Sequence, residues 1–154
     1  MPKPSPLQTL IDLTQSRMDE AARTLGKLLA SERADEQKLE LLENYRTEYQ
    51  GRFLAAAQDG LGQEAWRNYQ EFLAKLDEAV DVQTQIVAQA KVRSAAGQQA
   101  WMAERTKSKA YDTLHKRMEM RESAKEAKRE QKASDEHAVK NFLDQHKEGS
   151  EENG

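Results

Sequence analysis

Along the first sixty residues, apolar side chains return at alternating steps of three and four. With a positions at 11, 18, 25, 32, 39, 46 and 53 and d positions at 7, 14, 21, 28, 35, 42, 49 and 56, eleven of fifteen are apolar: Leu7, Ile11, Met18, Ala21, Leu25, Leu28, Leu39, Leu42, Tyr49, Phe53 and Ala56. A repeat of about 3.5 residues draws one narrow apolar stripe along a helix, and such a stripe needs a second helix against it. Ser5, Pro6 and Gln8 give the start signal: a hydroxyl to cap the third amide, a proline at the first turn and a side chain able to reach back. Asp59, Gly60, Leu61 and Gly62 then offer a left-handed cap and a tight reversal.

A second frame follows through Trp66, Tyr69, Leu73, Leu76, Val80, Gln83, Val87, Ala90, Ser94, Gly97, Trp101, Glu104, Ser108, Tyr111, His115 and Met118, with ten of sixteen apolar. The pattern predicts an all-α fold, a long antiparallel two-helix coiled-coil hairpin over 5–132, turning near 59–63, with helices of about 50 to 60 residues. Residues 1–4 are expected to be disordered, and 133–154 to form a polar, acidic tail, frayed or disordered. Glu32, Asp35 and Arg46 interrupt the first stripe and predict loose or splayed packing there. Gly26, Gly51 and Gly97 fall inside helices, as tolerated residues or as points of bending or close approach.

Composition excludes several classes of function. Of 154 residues, 33% are charged and 37% hydrophobic, and the mean hydropathy is -0.98. That is too little apolar surface for a compact globular core, which favours an elongated helical object. The absence of cysteine removes disulfides, thiolate metal sites and cysteine nucleophiles, and suits a reducing cytoplasm. Runs such as Phe53 to Ala57 are far shorter than the roughly 20 residues of a membrane span, and the start has no secretory apolar region, so a soluble, unprocessed chain is expected. Residues 1–103 carry 12 basic and 15 acidic groups, 104–132 carry 10 and 6, and 133–154 carry 2 and 6. Interleaved Glu in the middle segment makes a solvated face the expected reading, with no nucleic-acid partner.

Candidate chemistry is sparse. His115, His137 and His146 have no metal-ligand spacing, no phosphate-binding loop is present, and a two-helix rod encloses no water-excluded cavity. Neither catalysis nor a cofactor or metal is expected. The informative feature is an asymmetry beside the seam. In an antiparallel hairpin the e positions of both helices share one flank and the g positions the other. The e flank near the turn is polar throughout: Glu36, Glu43 and Gln50 against Gln70, Asp77 and Thr84. The g flank sets Tyr45 against Phe72, Ala79 and Ile86. Folding about Gly60 and Leu61 pairs 42 with 79, 45 with 76 and 49 with 72, so Leu42, Tyr45, Tyr49, Phe72, Leu76 and Ala79 converge on one half-covered patch. A third helix, from the C-terminus or a dimer mate, or a partner protein would cover it. Leu10 and Leu13, off the seam near the N-terminus, suggest a second docking point at the open end.

The segments LQTLIDL (7–13), AARTLG (21–26), LLENYRTEYQ (41–50) and WRNYQEFLAKLDEAV (66–80) resemble the flagellar type III export protein FliJ family over residues 7–118. The resemblance implies a hairpin similar to the rotor-stalk subunit of F-type ATPases. It implies a cytoplasmic protein, peripheral at the inner membrane of the flagellar base and membrane-associated only through its partners. Those partners would be the export ATPase FliI and its regulator FliH, the export-gate protein FlhA, and export chaperones of the FlgN and FliT type, which it would help recycle. On that likeness Leu42, Tyr45, Tyr49, Phe72, Leu76 and Ala79 engage the gate, and Leu10 and Leu13 face the ATPase ring. Lys38 and Gln83 depart from the family pattern, where Gln and His are usual. An isolated monomer is expected; the alternative is a structural coiled-coil scaffold or dimerisation module with no export role.

Overall fold

The computed structural model describes residues 5–152, with side chains over 5–149, so the disorder expected of residues 1–4 lies outside the described residues. Two helices follow in order, α1 (Pro6–Gln58) and α2 (Gln63–Glu152). The described residues form two compact units, one of Asp12–Ser108 and one of residues 5–11 with 109–152.

In the larger unit the two helices run antiparallel and pack against each other. The reversal follows from local chemistry: α1 closes as the Asp59 N–H donates to the Ala55 carbonyl and the Gly60 N–H to the Ala57 carbonyl, each at 3.3 Å. Gly60 then takes a φ of 93°, a left-handed conformation that an L side chain resists. The Gly62 carbonyl accepts the Trp66 N–H at 3.0 Å and opens α2.

From Asp12 to Gln58, every buried or half-buried position is an a or d position of the frame read above. On α2 the seam frame also holds through Ser108, with two differences: Trp66 is exposed, and Ala65, Ala79 and Ile86 of the g flank are half-buried. The deepest stretch contains Leu76, Val80, Val87 and Ala90, with Gln83 only 3% exposed among them. These residues lie level with 32–46 of α1, where the charged seam residues predict splaying. The structure corrects that expectation. Gln83 Nε2 donates to the Asp35 carbonyl at 2.9 Å, Arg46 Nη1 lies 3.5 Å from Asp77 Oδ1, and Lys91 Nζ lies 3.8 Å from Glu36 Oε1. Long polar side chains carry their charged ends to the edge of the seam while their stems cover it.

Of the helical glycines, Gly97 allows close approach: a Cβ there would come within 2.7 Å of Leu28 Cδ1. Gly26 and Gly51 face open space. Replacing either with Ala is expected to stabilise the hairpin by about 0.5–1 kcal/mol, by reducing the freedom of the unfolded chain and raising helix propensity. Gly60→Ala is expected to cost about 1 kcal/mol or more because of its left-handed backbone. Thermal melts check both signs; a Gly60→Ala variant melting at or above the parent would remove the turn's dependence on that conformation.

The second unit holds the start of α1 and the last part of α2. The cap forms as the sequence suggests, with the Gln8 N–H donating to Ser5 Oγ at 3.1 Å and the Thr9 N–H to the Ser5 carbonyl at 3.1 Å. Every described side chain from 116 to 149 is exposed. Even so, α2 stays helical to Glu152, across the segment expected to fray, and reaches 90 residues rather than the predicted length of about 50 to 60. Residues 98–148 contain neither Gly nor Pro and are rich in Ala, Lys, Arg, Glu and Gln, so propensity and backbone hydrogen bonds continue the helix where no apolar face is buried.

Candidate functional surface

The two flanks of the seam in the Asp12–Ser108 unit differ as their sequences do. On the e flank, Glu36 with Lys91 and Asp77 with Arg46 of the seam form ion pairs at the surface, and Thr84 Oγ1 returns its proton to the Val80 carbonyl at 2.7 Å. The g flank presents rings and aliphatic groups. Tyr45 is 52% and Phe72 37% exposed, large apolar areas left in water beside a packed seam.

The structure places the six patch residues unequally. Tyr49 and Phe72 touch, with ring centroids 4.2 Å apart and planes inclined at 45°. Tyr45 and Tyr49 line a small depression with Glu48 and Arg52. Leu42 and Ala79 line an adjoining open groove of about 380 Å³, with Lys38, Val82 and Ile86 among its walls. Leu76 differs: at 8% exposure it belongs to the core and supports the patch from below. Periodicity could not separate it from its neighbours, because a d residue opposite a g residue is covered only as far as the crossing side chains allow.

Some aromatic contributors are missing from the six. Tyr69 lies 5.4 Å from Tyr49, and Phe53 meets both Trp66 at 5.0 Å and Tyr69 at 5.6 Å. A ladder of five rings therefore runs from the turn to the patch. Its signal was in the sequence, since Phe53, Trp66 and Tyr69 occupy seam positions, but seam membership alone suggested a core role. Gln83 is buried beneath the groove and bonded to α1, whereas Lys38 stands exposed at its wall.

Leu10 and Leu13 are both exposed, each in its own unit. The histidines have other neighbours: His115 Nε2 lies 2.9 Å from Glu119 Oε1, and His146 stacks on Phe142 with centroids 4.9 Å apart. Among the described residues no group of three or more His, Cys, Asp or Glu could hold a metal, and no helix is long and apolar enough to cross a membrane.

The flagellar FliJ protein family model matches residues 2–147. The chain is 28% identical over 132 residues to the flagellar FliJ protein of Salmonella typhi, a match covering 86% of this chain and 90% of that protein. The flagellar FliJ protein of Escherichia coli (strain K12) matches with the same identity and coverage. A family pattern running through both helices, the turn and the aromatic flank alike, makes the chain a member of the flagellar FliJ family.

Proposed function

We infer that the chain is a non-enzymatic component of the flagellar type III protein export apparatus, a coiled-coil stalk and adaptor between the export ATPase ring and the export gate. The asymmetry of the hairpin carries this reading. One flank is closed by ion pairs, and the other keeps Tyr45 and Phe72 in water on a rigid support. Aromatic rings give large contact area with few rotors to immobilise, and so suit anchors in a partner's pocket.

In this reading Tyr45, Tyr49, Phe72, Leu42 and Ala79 meet the gate protein FlhA, with Leu76 holding them from below. Leu10 and Leu13 face the ring of the ATPase FliI, which works with its regulator FliH. Empty chaperones of the FlgN and FliT type are handed on by the same stalk. The chain works at the cytoplasmic face of the inner membrane.

Co-purification with FliI and with the cytoplasmic domain of FlhA tests the reading. Both are expected to bind, and Leu13→Asp is expected to reduce co-assembly with FliI without unfolding the hairpin, since Leu13 is exposed. Undiminished co-assembly with FliI in that variant would remove Leu13 from the docking surface. Sedimentation tests the rival scaffold: an obligate dimer that hides Tyr45 and Phe72 would replace the adaptor.

A further inference from the structure

The last part of α2 sorts its side chains by face. At about 100° per residue, Arg117, Arg121, Lys125, Lys128 and Lys132 fall within an arc of about 80°, a row of cations about 22 Å long. Val139, Phe142 and Leu143 continue the same face, and all three are largely exposed. Glu119, Glu126, Glu130, Asp144 and Glu148 gather on the opposite face within an arc of about 40°. Asp135 and Glu136 are the carboxylates that interrupt the basic-apolar face. The segment thus joins a polybasic row to an apolar end on one side and keeps most of its negative charge on the other.

We propose that this face lies flat on an anionic lipid bilayer, with the cations on headgroup phosphates, Phe142, Leu143 and Val139 dipping into the acyl boundary, and the acidic face toward water. A bilayer supplies both complements at once. Cations near an anionic surface and a short apolar insertion are each marginal alone, and the two together give stable surface binding. A nucleic acid would match the cations but leave the apolar end unused. A second copy could offer its acidic face to the cations, yet would set carboxylates against Phe142. No helix among the described residues can span a membrane, so contact here is interfacial. It is also direct, where the family resemblance implies membrane association through partners alone. The proposal is independent of the export reading, because lipid binding is measured on the isolated chain.

Flotation with vesicles of phosphatidylcholine alone, or mixed with phosphatidylglycerol, tests it on the full chain. Binding is expected only to the mixed vesicles and should weaken with salt. Arg121→Gln, Lys125→Gln, Lys128→Gln and Lys132→Gln combined should lower the affinity at least a hundredfold, and Phe142→Gln with Leu143→Gln about tenfold or more. All six positions are exposed and Gln is a good helix former, so circular dichroism should show unchanged helicity. Equal binding to both kinds of vesicle, or full affinity in the four-fold variant, would overturn the proposal. So would binding to duplex DNA without binding to mixed vesicles, which would make the row a phosphate-backbone contact.

Discussion

A Tyr45→Ala, Phe72→Ala variant is expected to bind the cytoplasmic domain of FlhA at least thirtyfold more weakly, about 2 kcal/mol, while keeping its helicity. Tyr45 is half in water, with no part in the ring contacts of the ladder, so its truncation should barely touch stability. Phe72 packs at a tilt against Tyr49, and its loss should cost the hairpin about 1 kcal/mol. Binding and stability thus separate at these positions. Calorimetric titration reads the first and a thermal melt the second, and unchanged affinity would take the patch out of the mechanism.

Leu76→Ala should behave in the opposite way. Leu76 is buried beside Val80 at the deepest part of the seam, so truncation leaves a void between packed helices and is expected to cost about 2–4 kcal/mol. Weaker gate binding would then follow the loss of folded hairpin, and lowering the temperature should restore it. Urea titration at two temperatures, followed by gate binding at each, checks this. If Leu76→Ala retained full stability yet lost the gate, Leu76 would be a contact residue and its burial would have to open on binding.

The difference between these positions marks what the chain's pattern could reveal. The heptad frame predicted the covered face of α1 from Asp12 through Gln58, because a one-sided stripe on a helix has a single way to be buried. It did not predict that Glu32, Asp35 and Arg46 would sit against the tightest stretch. That outcome depends on Gln83 reaching the Asp35 carbonyl and Arg46 reaching Asp77 across the seam, and on stems long enough to cover apolar neighbours. The helical course of 133–152 was hidden for another reason. Burial logic assigns structure where apolar faces repeat, and this segment is held by propensity with every described side chain in water. The patch was legible as a flank asymmetry, whereas its division into exposed anchors and a buried support depended on packing depth.

The glycine reversal at 59–62 also shapes how the molecule assembles in time. Bringing Tyr49 to Phe72 closes a segment of only about 20 residues, whereas bringing Leu28 to Gly97 directly would close one of about 70. The rings nearest the bend therefore meet first, and each later pair joins a neighbour already in place, as the teeth of a zip do. Tension applied between Asp12 and Ser108 would part the helices in the reverse sequence, a few teeth at a time at low and even force, with the aromatic ladder the last to yield.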